Sequence, residues 1–388
     1  MKIILKLVAG MIAGLLLGFY APDWAVRTLL TVHELIGQLI KFTIPLIILF
    51  YITAGIASLP RDSGKLLGRT IAFAYGSTLT AGVLAFLIAT VCLPVLAPAG
   101  GEAGHEAAAL TSFFKLEIPP LFGVISALVA AFIFGVGIST QRSQTLRAFF
   151  NDSCNIIERL LARVIIPLLP VYIAGVFAAM AADGSVFQTL RAFGLVLMLV
   201  VIMHWAWLSA LFITTGLLNR RSPLELIRHM LPAYFTALGT MSSAATIPVT
   251  LRSAKNAGIS HPIANFVIPL CANIHLSGST ITLVTCSTAV MLMTPGVGMP
   301  TLGGMFPFIL MLGIIMVAAP GAPGGAVMSS LGLLTSMLGF NEAQVALMIA
   351  LYLAQDSFGT ATNVTGDAVI AVWMDRFHGK SLAADSTA

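Results

Sequence analysis

Four residues near the end of the chain, Asp356, Thr360, Asn363 and Asp367, are of types that could do chemistry together. Their offsets of four, seven and eleven positions keep all four on one narrow stripe of a helix, at about 100° per residue. Two carboxylates, a hydroxyl and a carboxamide then line a single wall. The segment that carries them, about 344 to 376, is otherwise apolar and holds no lysine or arginine before Arg376. An aspartate at membrane depth costs about 3 kcal/mol on insertion scales, and such residues usually mark ion or substrate pathways. Two carboxylates could also serve an aspartyl protease, but eleven helical residues set them about 16 Å apart. A catalytic dyad must share a proton across about 3 Å. A Ser/His pair, Ser243 with His275, carries no strong catalytic motif, and the chain is expected not to be an enzyme.

The elements that position this stripe follow from composition. Only 9% of the residues are charged and 58% are hydrophobic, a balance that cannot cover a surface in water. Apolar segments at about 3 to 20, 35 to 58, 70 to 97, 119 to 139, 156 to 182 and 188 to 217 are long enough to be spans. The first follows Lys2 and Lys6 like a signal peptide, yet no clear small-x-small cleavage site comes after it, so an uncleaved helix is expected. Arg61, Lys65 and Arg69, then Arg142 and Arg147, then Arg220, Arg221 and Arg228 fall on one side, which the positive-inside rule makes cytoplasmic. The opposite connections carry Asp23 with Arg27, then Glu102, Glu106, Lys115 and Glu117, then Asp183. A multi-pass protein of the cell (inner) membrane, with both termini cytoplasmic, is expected. The net charge of +5 resides in these clusters without interleaved aromatic residues, so no nucleic-acid partner is expected. Cys92, Cys154, Cys271 and Cys286 lie far apart and read as free packing thiols.

Beyond the sixth span the pattern changes. The segment at about 224 to 255 has Arg228 near its start and Arg252 and Lys255 at its end, so it should enter and leave on the same side. Its middle, Gly239 to Pro248, is small and hydroxylated and ends in a helix-breaking proline, as in a re-entrant hairpin. A second segment, about 304 to 340, carries Pro320-Gly321-Ala322-Pro323-Gly324-Gly325 halfway along and no basic residue at either end, a hairpin entering from the other side. Irregular backbone at membrane depth survives only where it is buried in protein or lines a watery cavity. Between the hairpins, Asn273-Ile274-His275-Leu276-Ser277-Gly278-Ser279-Thr280 interrupts an apolar stretch. A helix unwound there offers carbonyls to a cation and a half-helix N-terminus to an anion. A Ser/Thr-lined packing face is the alternative.

Hairpin, broken helix, hairpin and the run Asn363-Val364-Thr365-Gly366-Asp367 together resemble the glutamate transporter family, the dicarboxylate/amino acid:cation symporters. The likeness extends to Lys41-Phe42-Thr43-Ile44-Pro45, to Ser242-Ser243 before Thr246-Ile247-Pro248, and to Gly321-Ala322-Pro323-Gly324-Gly325. It implies an all-α polytopic fold of eight transmembrane helices plus two re-entrant hairpins, forming one membrane domain over 1–388. A scaffold of about 1–60 and 119–183 would support a transport part of about 65–98 and 188–376 that moves as an elevator, in a homotrimer within the lipid bilayer.

The resemblance also implies roles. Ser242, Ser243, Ser279, Ala322, Pro323 and Gly324 would surround a substrate carboxylate, with Thr360 beside them. Asp356 would pair with the substrate's amino group and Asn363 would contact it from the same wall. Asn273, His275, Ser277, Asn363 and Asp367 would hold sodium, and hard oxygen ligands suit a hard cation. Two departures shape the expectation. Gly359 stands where members that take acidic substrates have an arginine, and His275-Leu276-Ser277-Gly278-Ser279 stands where the family reads Asn-Met-Asp-Gly-Thr. The chain is therefore expected to be a cation-coupled symporter of a small neutral amino acid, using Na+ and, at His275, H+ in place of one Na+. A dicarboxylate symporter and a channel-like anion conductor are the alternatives.

Overall fold

Long apolar runs with few interior breakers wind into helices throughout, and no strand occurs among the described residues. The computed structural model describes residues 2–58, 64–96, 110–141, 143–184, 186–294 and 299–385. Arg61, Glu102, Glu106 and Arg142 of the charge pattern lie outside them. The helices are α1 (Lys2–Tyr20), α2 (Asp23–Ser58), α3 (Gly64–Leu96), α4 (Val124–Gln141), α5 (Gln144–Leu160), α6 (Ile166–Asp183), α7 (Val186–Asn219), α8 (Pro223–Thr240), α9 (Ser243–Asn256), α10 (His261–Ile274), α11 (Ser277–Met293), α12 (Leu302–Met316), α13 (Gly325–Met337) and α14 (Glu342–Asp385). Among the described residues six helical stretches are long and apolar enough to cross a membrane: Asp23–Ala57, Lys65–Val95, Val124–Gln141, Gln144–Ala182, Thr189–Asn219 and His261–Met293. The apolar part of α1 is shorter, and α14 is diluted by its own polar stripe.

The fifth span begins earlier than the apolar window suggests. Helix runs from Gln144, capped by Ser143, through one wide turn at Leu161–Ile165 into α6. Its first half is amphipathic and charged, which an apolar window passes over, and the wide turn precedes Pro167 and Pro170, whose missing N–H groups cannot support regular pairing.

Both expected hairpins form as helix–turn–helix units. In the first, the break falls before the proline. Met241 takes a left-handed conformation at φ 54° and ends α8, while the Ser242 hydroxyl accepts the Ala245 N–H at 3.2 Å and starts α9. Pro248 then lies inside α9. In the second, α12 and α13 flank a turn that closes at Gly324.

Packing forms two sets that share an interface. α1 packs on α6 and α2 on α4, α5 and α6, whereas α14 packs on α7, α8, α10 and α11, and α3 lies along α11 and α12. At one end of the molecule Arg221 donates to the carbonyls of Ala257 and Gly258 at 3.1 and 3.2 Å and lies 3.6 Å from Asp375, near where Arg69 meets His378. At the other, Gln38 joins Glu342 and the Ile118 N–H, and Thr31 accepts the Phe113 N–H. Arg69 and Arg221 of the basic clusters thus meet the C-terminal half of α14, and the stretch bearing Lys115 and Glu117 lies near its start.

The α1–α6 contact depends on three glycines one turn apart. A Cβ on Gly10 or Gly14 would lie 2.3 Å from the carbonyl oxygen of Pro170 or Ala174, and one on Gly18 2.5 Å from that of Ala178. Small residues let two backbones meet in this way. Gly14→Val is expected to cost at least about 1–3 kcal/mol of overpacking strain, seen as a lower thermal midpoint in detergent. Gly68→Ala, with nothing within 4 Å, should leave the midpoint unchanged.

Candidate functional site

The break between α10 and α11 is two residues wide. His275 is extended and Leu276 is also non-helical, which ends α10 with the His275 N–H on the Cys271 carbonyl at 2.9 Å. α11 then starts with N–H groups that have no partner in their own helix. Asn363 of α14 supplies one: its Oδ1 accepts the N–H of Gly278 at 2.7 Å and of Ser279 at 3.2 Å, and its Nδ2 donates to Ser279 Oγ at 2.9 Å. One carboxamide therefore caps a helix to which it does not belong. The two helices can approach because both are bare there, since a Cβ on Gly278 would lie 2.4 Å from the Gly359 carbonyl oxygen.

One turn further along the stripe, Asp367 is 1% exposed. Its Oδ1 lies 3.0 Å from His275 Nδ1, and the other ring nitrogen lies 3.0 Å from Ser77 Oγ on α3. Its Oδ2 has no hydrogen-bond partner among the described residues, and neither have the buried hydroxyls of Thr78, Ser277 and Thr280. A buried carboxylate oxygen without a partner is costly. Carboxylate and hydroxyl oxygens are the donor type of a hard cation, and of the residues expected to hold sodium Asp367 and Ser277 keep such an oxygen without a hydrogen-bond partner among the described residues. Asn273 is placed apart: it is exposed, and its carboxamide donates back to the Pro269 carbonyl at 3.1 Å.

At the other end of the stripe, Asp356 meets the second hairpin. Its Oδ2 accepts the Gly324 N–H at 2.7 Å, and its Oδ1 has a long contact of 3.5 Å from the Thr360 hydroxyl. Ala322 and Pro323 are half-buried in the same turn. The two hairpin tips touch through Ser242, whose hydroxyl donates to the Gly321 carbonyl at 2.6 Å, while Ser243 is buried in the first turn of α9. Gly359 faces α11 rather than the hairpin tips. A Cβ there would meet Thr282 Oγ1 at 3.5 Å in ordinary contact.

Three polar residues join the site without having been singled out in the sequence. Tyr352 donates its hydroxyl to Ser279 Oγ at 3.0 Å. It precedes Asp356 by four positions and so extends the same stripe upward, a signal the spacing already held. Ser77 and His204 come from other helices. His204 is fully buried, with Nε2 2.9 Å from the Gly278 carbonyl and 3.2 Å from Thr282 Oγ1. Nothing local distinguishes either from an ordinary packing residue.

With this geometry in view, comparison with known proteins is informative. The model of the Sodium:dicarboxylate symporter family matches residues 3–377. Excitatory amino acid transporter 1 of Homo sapiens is 28% identical over 266 residues, 65% of this chain and 48% of that protein. The chain thus spans about half the length of the curated relative it matches.

The interhelical cap makes a quantitative expectation. Asn363→Ala leaves two buried amides without their acceptor, at about 1–3 kcal/mol each. Its thermal midpoint in detergent should fall further than that of Ser279→Ala, which keeps the Asn363 acceptor in place.

Proposed function

This chain belongs to the sodium:dicarboxylate symporter family, and from that premise we propose that it is a secondary active, cation-coupled symporter of a small neutral amino acid. The observation that carries the reading is Asp356, a buried carboxylate at the tip of the second hairpin whose other neighbours are the neutral hydroxyls of Tyr352 and Thr360. Among the described residues neither it nor Asp367 pairs with a lysine or arginine. A carboxylate in that place attracts an ammonium and repels a dianion, which favours an amino acid over a dicarboxylate. Gly359 offers no cation for a second carboxylate. Backbone groups of the hairpin tips, with Ser243, hold the α-carboxylate, and Asp356 takes the ammonium. Ser242 acts through the tip, since its hydroxyl is already given to Gly321.

Sodium is the co-substrate, taken at Asp367 with hydroxyls of the broken-helix region. His275 supports a further assignment, because its ring bridges Asp367 and Ser77. A proton carried on that imidazole supplies one positive charge beside the carboxylate in place of one sodium. Eight crossings, counting α1 and α14 with the six longer stretches, two re-entrant hairpins, a homotrimer of scaffolds in the cell membrane and an elevator motion complete the proposal.

Two experiments test it. Labelled amino acids and dicarboxylates are offered to proteoliposomes under an inward sodium gradient. Wild type should accumulate a neutral amino acid uphill, and folded Asp356→Asn should lose at least about tenfold in uptake, the loss of one charge-assisted contact. Undiminished uptake by that variant contradicts the ammonium assignment. In the second, proton gradients are imposed at fixed sodium. They should drive uptake in wild type and not in His275→Asn. Equal pH profiles, with no drive in either, would make His275 purely structural.

A further inference from the structure

The second hairpin's tip is fastened on two sides. On one, the Gly321 carbonyl accepts the Ser242 hydroxyl at 2.6 Å and the Ala244 N–H at 3.5 Å, tying it to the first hairpin. On the other, the Gly324 N–H donates to Asp356 Oδ2 at 2.7 Å, tying it to α14. The turn itself has little freedom. Gly324 is left-handed at φ 74°, and a Cβ on Gly325 would lie 2.2 Å from the Pro320 carbonyl oxygen. The N–H at 324 is therefore presented in one direction, and α13 starts from it with the Met328 N–H on the Gly324 carbonyl at 3.0 Å.

Asp356 is 3% exposed, so any movement of the tip away from α14 takes from a buried carboxylate its shortest hydrogen bond. A carboxylate has about four acceptor positions; besides the Gly324 N–H, Asp356 faces the hydroxyls of Tyr352 and of Thr360, the latter 3.5 Å from Oδ1, so acceptor positions remain at Oδ1. We infer that Asp356 is a positioning residue for the second hairpin: Oδ2 latches the tip through the Gly324 N–H while Oδ1 is left to take the substrate's ammonium. Substrate recognition and closure of the tip then meet in one side chain. An ammonium can arrive without displacing the latch, whereas a ligand that displaced Oδ2 would free the tip. The role of Oδ1 rests on the ammonium assignment above; the latch at Oδ2 rests on the Gly324 contact alone.

The test needs no substrate. Hydrogen–deuterium exchange is followed by mass spectrometry on the purified full chain in detergent, reading peptides within 317–330 for the tip and 277–293 for α11. Asp356→Ala removes the acceptor and should raise exchange at the tip about tenfold, with α11 unchanged, as expected for loss of one hydrogen bond to a charged group. Asp356→Asn keeps an acceptor oxygen and should stay within about twofold of wild type. Gly324→Ala strains the left-handed residue and displaces the donor, so it should resemble Asp356→Ala. Wild-type exchange at the tip in both Asp356→Ala and Gly324→Ala overturns the latch. An equal rise in Asp356→Asn and Asp356→Ala overturns it too, as does a rise spread evenly over tip and α11. Uptake by Asp356→Asn with a closed tip would instead overturn the ammonium assignment and leave the latch standing.

Discussion

A carboxylate held at 1% exposure in an apolar protein must be compensated, and among the described residues Asp367 is hydrogen-bonded on one oxygen only, by His275 at 3.0 Å. Much of the surrounding architecture serves that need. His275 can reach Asp367 because α10 stops one residue short of it and the chain is extended there. α11 can restart because Asn363, one turn before Asp367 on the same helix, caps its first amides. Ser77 then fixes the far side of the imidazole from α3. One polar stripe on α14 thereby organises three helices, and Oδ2 keeps no hydrogen-bond partner among the described residues.

The stripe has two ends with different partners. Asp367 faces the broken helix, and Asp356, about 16 Å away along the axis at 1.5 Å per residue, faces the second hairpin. Tyr352, Ser279 and Asn363 form a continuous hydrogen-bonded chain between α14 and α11. One helix thus carries both buried carboxylates. Around it pack α3, α7, α8 and α10, and contact with the α1, α2, α4 and α6 set passes through α13, α14 and the α6–α7 pair. Gln38 and Tyr172 hold the start of α14 by Glu342.

Much of this was legible in the residues themselves. Asp356, Thr360, Asn363 and Asp367 declared a shared face because helical periodicity is a local property. Small and hydroxylated runs marked both hairpins, since such backbone has no place in lipid. The first break falls within the expected Gly239–Pro248 run, at Met241–Ser242, but Pro248 does not break the helix, because a proline in an early turn is tolerated when a left-handed Met241 and a Ser242 cap have already ended one helix and begun the next. α5 was hidden by its charges. Ser77 and His204 were out of reach for another reason: they matter through contacts about 200 and 74 positions away in sequence, and no local pattern encodes such a meeting. Asn273 shows the converse, as a plausible ligand type whose side chain turns back on its own helix.

Among the described residues Asp367 Oδ2 has no hydrogen-bond partner, the place that the proposed symport gives to sodium. The most direct test of that assignment is the thermal midpoint of the purified protein as sodium chloride replaces choline chloride at constant ionic strength. A bound ion stabilises by about 2.7 kcal/mol at a hundred times its dissociation constant. Wild type should therefore show a saturable rise in midpoint, and Asp367→Asn, which removes the charge but keeps the shape, should show none. The same sodium response in both proteins would contradict the account.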